Sequence, residues 1–208
     1  MPQVLSAGAP LERAGAAAIL LHGRGGSAED ILALGAELGF DDIAYLAPQA
    51  ANHSWYPYSF LAPLAQNEPH LTHALATVGA TLDHAVRAGL GAERVALIGF
   101  SQGGCLALEY AARNARRYGA IAGLSAGLIG PPGAPRAYPG SLDATPAFLG
   151  CSDVDAHIPL ARVHESRAVL GRLGAEVSER IYPGMGHSIN ADEIAHLVKL
   201  LAPLKAMA

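Results

Sequence analysis

The sequence predicts an α/β fold, in which a doubly wound, mainly parallel sheet carries helices on both faces and no lid domain. Short β-like runs alternate with longer helical patterns along the whole chain, and most of these runs are continuously apolar, as in strands buried on both sides. The predicted strands are Ala16–Leu21, Ile43–Ala47, Arg94–Gly99, Ala120–Leu124, Ala147–Gly150 and Val177–Tyr182. No repeat or linker divides the 208 residues. We therefore expect a single domain over residues 1–208.

The helical patterns between these strands carry recognisable start signals. One apolar stripe has helical spacing and follows Asn67-Glu68-Pro69; its members are Leu71, Leu75, Val78, Leu82 and Val86. Another helix is predicted after Pro159, and the last opens with Asn190-Ala191-Asp192-Glu193, which resembles a capping box.

Composition limits the classes of function. Apolar residues make up 51% of the chain and charged residues 15%, with a net charge of −4 and no basic run, so nucleic acid is not expected as a partner. No apolar run is long enough for stable membrane insertion. Two cysteines, Cys105 and Cys151, are too few for a disulfide framework and are expected to be reduced and buried. Since the first residues do not resemble a signal peptide, we expect a cytoplasmic protein.

The most informative motif is Gly99-Phe100-Ser101-Gln102-Gly103, which fits Gly-x-Ser-x-Gly between a predicted strand and a helical stretch. A sharp strand-to-helix turn needs glycines beside the serine, because β-carbons would collide there. Such a turn lifts the hydroxyl above the sheet and directs the helix N-terminus at a reacting carbonyl. Ser101 is therefore the predicted nucleophile.

A nucleophilic serine needs a base, and the base needs a carboxylate that orients it. After this type of turn, the acid and then the histidine follow the serine along the chain. His187 lies in a glycine-rich loop between the last predicted strand and the last helix, and is the predicted base. For the acid, Asp155 is preferred because it stands four residues before Pro159, but Asp153 remains an alternative.

The segment His22-Gly23-Arg24-Gly25-Gly26 follows the first strong strand, and its glycines allow close approach of backbone amides to a ligand. We expect the N–H groups of Arg24 and Gln102 to form an oxyanion hole. His22 is expected to have a structural hydrogen-bonding role.

Two long loops, Pro48–Ala65 and Gly127–Thr145, follow predicted strands and are expected to cover the serine at the carboxyl edge of the sheet. Within the first loop, Trp55, Tyr58 and Phe60 are candidates for substrate binding, although core packing explains them equally well. His70 and His73 could share one helical face, but no metal-binding motif accompanies them, and no metal or cofactor is expected.

These motifs together resemble the bacterial phospholipase/carboxylesterase family of α/β-hydrolases, relatives of acyl-protein thioesterases and dienelactone hydrolases. The similarity rests on residues 22–26, Gly99–Gly104, Asp155-x-x-Ile158-Pro159 and Gly184-Met185-Gly186-His187-Ser188. The spacing from Gly150 to Asp155 is two residues longer than usual in that family, which keeps Asp153 open. Dienelactone hydrolases use cysteine where this chain has serine.

The resemblance implies a serine-dependent hydrolase of small carboxylic esters, and the lack of room for a lid domain favours short acyl chains. A thioesterase acting on acylated protein or small thioesters uses the same three residues and remains the alternative. A non-catalytic binder on the same scaffold is less favoured because all three residues are present. Related proteins are often dimeric, so a homodimer is left open.

Overall fold

A sheet of seven strands forms the centre of the computed structural model, which describes residues 3–205. The strands are β1 Val4–Gly8, β2 Ala16–Leu21, β3 Ile43–Pro48, β4 Val95–Phe100, β5 Ala120–Leu124, β6 Pro146–Ser152 and β7 Glu176–Tyr182. Their order is β1-β3-β2-β4-β5-β6-β7, and every neighbouring pair is parallel except β1 with β3. The predicted doubly wound, mainly parallel α/β fold is confirmed.

Helices cover both faces of this sheet. They are α1 Ala28–Leu38, α2 Leu64–Asn67, α3 His70–Arg87, α4 Gln102–Arg113, α5 Leu160–Arg172 and α6 Ala191–Lys205. Helices α1 and α6 pack with one core cluster, and α3, α4 and α5 pack with the other. Strand β2 separates the two clusters: Ala17, Ile19 and Leu21 belong to one, Ala16, Ala18 and Leu20 to the other, and all six are fully buried. This explains its continuous apolar sequence.

The winding direction changes at the centre of the sheet. The chain leaves β2 through α1 on one face, whereas it leaves the adjacent strand β4 through α4 on the opposite face. In open α/β sheets, a crevice for ligands forms where two such neighbouring strands end. The loops after β2 and β4 therefore meet at the place where the sequence analysis expects a site.

Some sequence predictions require correction. Strand β1 is missing from them; it pairs antiparallel with β3 at the edge of the sheet and is only partly buried, so its sequence lacks the pattern of a core strand. Arg94 belongs to a short 3-10 turn before β4. In α3 the buried face includes the small residues Ala74, Thr81 and Ala85, and Val86 is 45% exposed.

The last helix begins with the predicted capping box. The Asn190 side chain accepts the Glu193 N–H, and the Glu193 Oε2 atom accepts the Asn190 N–H, both at 2.9 Å. The Glu193 side chain is completely buried, and its Oε1 atom has no hydrogen-bond partner within residues 3–205. Burial, opposed by the Asn190 N–H and assisted by Asp192, raises the pKa of Glu193 to about 7.

None of the helices formed by the described residues combines the length and the apolar character that a membrane crossing requires.

Candidate active site

Ser101 lies in the sharp turn between β4 and α4. Its backbone has φ 54° and ψ −120°, a conformation that is unfavourable for a residue with a side chain. Two hydrogen bonds hold it: the Ser101 N–H donates to Leu124 O, and the Cys105 N–H donates to Ser101 O, each at 2.9 Å. A β-carbon on Gly103 would stand 2.2 Å from the carbonyl oxygen of Leu21, so only glycine fits there. The turn thus fixes the serine at the carboxyl end of the sheet.

Three side chains from separate loops form a hydrogen-bonded series. The Ser101 Oγ atom lies 2.8 Å from His187 Nε2, and His187 Nδ1 lies 2.7 Å from Asp155 Oδ2. The Asp155 carboxylate is fully shielded from solvent, whereas the imidazole is 20% exposed. Neutral imidazole with its proton on Nδ1 satisfies both contacts, because it then donates to the carboxylate and accepts from the hydroxyl.

The two candidate carboxylates have different partners. Asp155 Oδ1 accepts the N–H groups of His157 and Ile158 at 2.8 and 3.0 Å, so both carboxylate oxygens are used. Burial tends to raise the pKa of Asp155, but the hydrogen bonds from His187 and the two backbone amides outweigh it and lower the pKa. Asp153 Oδ1 instead accepts the Gly184 N–H at 2.8 Å. The structure therefore brings Asp155, and not Asp153, to the imidazole, while Asp153 anchors the loop that carries His187.

Two aromatic rings enclose the imidazole. The Phe100 ring lies with its centroid 4.9 Å from that of His187, and the His157 ring makes an edge contact at 4.8 Å. These contacts restrict rotation of the imidazole away from Ser101.

The two predicted oxyanion donors lie beside Ser101. Gln102 is the first residue of α4, and helical hydrogen bonding begins only with Cys105, so its N–H has no helical acceptor. In the loop after β2, the Gly25 and Gly26 N–H groups bond to backbone carbonyls, whereas no backbone acceptor for the Arg24 N–H is found within residues 3–205. Both residues line the cavity that contains Ser101.

The side chains of these two residues also bind the segment 55–58, a contact that the sequence did not predict. The Gln102 amide accepts the Trp55 N–H at 3.0 Å and donates to Tyr56 O at 2.8 Å. The Arg24 guanidinium donates to Pro57 O at 2.9 Å and Tyr58 O at 2.7 Å. Both side chains therefore attach the segment 55–60, which we call the aromatic loop, to the two segments that carry these N–H groups.

His22 supports the loop after β2. Its Nδ1 atom donates to Gly23 O at 2.7 Å, and its Nε2 atom accepts the Ala50 N–H at 3.2 Å, which requires the neutral ring. Burial is the main cause of its lowered pKa. Its hydrogen bonds go to Gly23, Gln49 and Ala50 and not to Ser101, so the structure gives it a hydrogen-bonding role in the loop.

A cavity of about 540 Å³, which we call the Ser101 cavity, opens at Ser101. Besides Ser101, Gln102 and His187, the residues that line it include Tyr56, Tyr58, Phe60, Cys105, His157 and Ile158. Of the three predicted substrate-binding aromatics, Tyr58 and Phe60 are present. Trp55 does not line this cavity; it is 4% exposed, and its indole N–H donates to His22 O at 2.8 Å.

Other lining residues escaped the sequence analysis. His157 follows Asp155 by two residues and Tyr56 follows Trp55 directly, so adjacency to a predicted site residue was the one available signal. The segment Gly127–Thr145, expected to cover the serine, contributes no residue to this cavity. Instead it lies behind the wall, where the Gly130 N–H donates to Phe60 O at 2.7 Å.

The two cysteines are free and buried, as predicted. Burial raises the pKa of both thiols to about 12, which leaves them protonated and poorly nucleophilic. Cys105 lines the cavity but accepts the Gly127 N–H at 3.5 Å. The side chains described for residues 3–204 contain no group of three or more potential metal ligands.

Comparisons with known proteins match almost the whole chain. A family model described as Phospholipase/Carboxylesterase matches residues 4–204. The crystal structure of a phospholipase/carboxylesterase from Dyadobacter fermentans is 45% identical, with a TM-score of 0.93 and 97% of both chains covered.

Two curated relatives are more distant. Acyl-protein thioesterase 1 of Gibberella zeae is 33% identical over 131 residues, which cover 57% of this chain and 53% of the thioesterase. The match thus spans about half the length of that relative. A protein of Arabidopsis thaliana named probable carboxylesterase SOBER1-like is 26% identical over 85% of this chain and 74% of its own length.

Proposed function

The chain belongs to the phospholipase/carboxylesterase family, and from that premise we propose that it hydrolyses carboxylic esters through an acyl-enzyme on Ser101. The observation that carries the proposal is the series from Ser101 Oγ to His187 Nε2 (2.8 Å) and from His187 Nδ1 to Asp155 Oδ2 (2.7 Å). Ser101, His187 and Asp155 would then form a catalytic triad of nucleophile, base and orienting acid.

In the proposed first step, Ser101 Oγ attacks the carbonyl carbon while His187 Nε2 accepts the hydroxyl proton. The carbon–oxygen bond to the alcohol then breaks, and His187 returns the proton to the departing alcohol oxygen. Water repeats the sequence in the second step: it gives a proton to His187, attacks the acyl carbon and releases the acid and the serine. Asp155 remains ionised and stabilises the imidazolium that forms in both steps.

The N–H groups of Arg24 and Gln102 are proposed to bind the oxygen that becomes negative at the tetrahedral stage. The position of Gln102 at the start of α4 supports this, because the positive end of the helix dipole then adds to its N–H. A single donor of this kind typically contributes about 10²–10³ in rate.

We also propose that the acyl groups are short, roughly C2 to C8. The cavity has fixed walls, so methylenes beyond this length find no further apolar surface to contact and add no binding free energy. The aromatic loop is held by Arg24, Gln102 and the Gly130 bond to Phe60, so the Ser101 cavity has a fixed wall. Every residue that lines the Ser101 cavity lies in a loop that follows a strand of the central sheet or in the first turn of α4, which supports one domain without a lid. Activity on p-nitrophenyl esters should fall beyond C8 and should not rise when substrate forms micelles.

Thioester hydrolysis is the second candidate, and the similarity to acyl-protein thioesterase 1 over half of that protein favours it. The same acyl-enzyme would form from either substrate, and only the leaving group would differ. Comparing kcat/KM for an oxygen ester and a thioester with the same acyl group separates the two functions.

The deciding experiment labels the protein with a fluorophosphonate and locates the adduct by mass spectrometry. The wild-type protein and Ser59→Ala, which alters another serine lining the cavity, should both be labelled at Ser101. Ser101→Ala should lose labelling and ester hydrolysis while keeping its thermal unfolding transition. Ester hydrolysis by Ser101→Ala at more than a few per cent of the wild-type rate would rule the proposal out. A wild-type protein that neither labels nor hydrolyses would also rule it out and would favour a non-catalytic binder.

A further inference from the structure

A second cavity of about 400 Å³ lies next to the Ser101 cavity and has no role in the mechanism above. We call it the α1 cavity, because Ile31 and Leu34 of α1 form part of its wall, together with Ile189, Ile194 and Phe100. We propose that the α1 cavity binds the alcohol portion of the ester, and that this portion is an uncharged alkyl group. This inference rests on the proposed esterase function and adds the second half of the substrate site.

Two residues show that the α1 cavity lies close to the reacting atoms. Phe100 precedes Ser101 directly, and Arg24 lines both cavities. Gly23, also in the wall, packs so closely that a β-carbon there would lie 3.2 Å from the Phe100 ring and 3.4 Å from Ser101 Cβ. Gly23 therefore places the wall of the α1 cavity directly beside the nucleophile.

The alcohol oxygen must receive a proton from His187, and this requirement places the alcohol on the side of the α1 cavity. At the tetrahedral stage the carbon carries the Ser101 oxygen, the oxyanion, the acyl chain and the alcohol oxygen, and the last must face His187 Nε2 to receive its proton. The Phe100 ring, which forms a wall of the α1 cavity, packs against the His187 ring. An alcohol leaving past His187 along Phe100 enters the α1 cavity, while the acyl chain stays in the Ser101 cavity.

The lining favours an uncharged alkyl group. Ile31, Leu34, Ile189 and Ile194 offer apolar surface, and the carboxylates of Asp30 and Glu37 at the same cavity repel an anionic alcohol. The guanidinium of Arg24 keeps its charge but is held at Pro57 O and Tyr58 O, which belong to residues that line the Ser101 cavity and not the α1 cavity.

The experiment fills the α1 cavity by enlarging a side chain at its exposed side. Ala33 lines it and is exposed on α1, so Ala33→Phe, or the smaller change Ala33→Leu, adds bulk without altering the core. Ala76→Phe is the matched control, because Ala76 is also an exposed helical alanine, on α3 at the opposite face of the sheet. Thermal unfolding identifies any variant that is misfolded.

Two ester series are compared by kcat/KM. Methyl and butyl acetate differ only in the alcohol, have similar leaving groups and form the same acyl-enzyme, whereas methyl acetate and methyl butyrate differ only in the acyl group. One fully buried methylene corresponds to about fourfold in kcat/KM, so wild type should prefer butyl to methyl acetate by on the order of 10-fold or more. Ala33→Phe should reduce this preference to about threefold or less and keep the acyl preference, with an intermediate value for Ala33→Leu.

Each other outcome overturns the inference. A wild type without alcohol preference, or an Ala33→Phe variant that keeps the preference as Ala76→Phe does, would show that the alcohol does not enter the α1 cavity. An Ala33→Phe variant that loses only the acyl preference would place the acyl chain there instead. Failure of the proposed function is recognised separately, since the wild type would then form no adduct at Ser101, and the inference would fall with it.

Discussion

Replacing Asp155 by asparagine should inactivate the enzyme through the imidazole tautomer and leave the fold unchanged. The asparagine oxygen can take the place of Asp155 Oδ1, which accepts the N–H groups of His157 and Ile158. Its NH₂ group then faces His187 Nδ1 and can only donate to it. The imidazole must therefore carry its proton on Nε2, where it donates to Ser101 and can no longer accept the hydroxyl proton.

The size of the effect follows from these contacts. The opposite amide orientation would leave the two backbone N–H groups without an acceptor, at about 1–3 kcal/mol each, so the inactive tautomer should dominate by about 30-fold or more. The neutral amide also removes the charge-assisted hydrogen bond between the carboxylate and the imidazolium, which contributes about 1.5–3 kcal/mol. Its loss should lower the activity by roughly a further 10–100-fold. We expect kcat/KM to fall by about 10³–10⁴, similar to the loss of about 10⁴ for the corresponding change in a serine protease triad.

The assay measures kcat/KM for p-nitrophenyl acetate, and ¹⁵N NMR of the histidine ring reports which nitrogen carries the proton. Asp153→Asn is the control: its amide oxygen can still accept the Gly184 N–H, so activity should stay within about threefold of wild type. Activity of Asp155→Asn above about a tenth of wild type would refute this reasoning, as would an unchanged Nδ1–H signal. A larger loss in Asp153→Asn would transfer the role of the acid to Asp153.

Three further predictions concern stability, each measured as the free energy of unfolding in urea. Gly103→Ala should lose several kcal/mol or fail to fold, because its β-carbon would lie 2.2 Å from the Leu21 carbonyl oxygen; a stable variant would contradict the tight turn. Gly171→Ala should gain about 0.5–1 kcal/mol, because Gly171 is exposed in α5 and a β-carbon there meets nothing within 4 Å; a loss would contradict this. Folding raises the pKa of Glu193 from 4.5 to about 7, so the folded state binds the proton more tightly than the unfolded state. As pH rises through that range, the free energy of unfolding of wild type should therefore fall by about 3 kcal/mol relative to that of Glu193→Gln. A difference between the two proteins that does not change with pH would argue against this.

The sequence predicted the parts of the site that depend on local backbone constraints. The glycines around Ser101 and the loop glycines near His187 are required by the turns themselves, so their spacing is visible without tertiary information. The choice of Asp155 over Asp153 depended on counting back from Pro159. The structure adds the physical reason, since the N–H groups that follow Asp155 orient its carboxylate toward His187.

The features that the sequence did not predict depend on contacts between distant segments. An aromatic side chain in a loop can face a cavity or the core. Trp55 faces the core because its indole N–H donates a hydrogen bond to the His22 carbonyl oxygen. The Gly127–Thr145 loop lies behind Phe60, a position that no local pattern encodes. Strand β1 forms only because β3 offers a free edge, and its own residues are too exposed to show the pattern of a buried strand.

Strand β7 forms the other edge of the sheet, and its sequence affects how readily the protein aggregates at high concentration. Among residues 3–205, strand β7 pairs with β6 alone, so its outer backbone groups could recruit a strand from another molecule. Glu176, Glu179 and Arg180 place charges along this strand, and its burial alternates between exposed and half-buried residues. Charged side chains on an edge strand discourage edge-to-edge aggregation, because a second strand would have to desolvate them. Replacing these three residues by threonine would remove that protection while keeping a good strand former, and the solubility limit of the protein should fall.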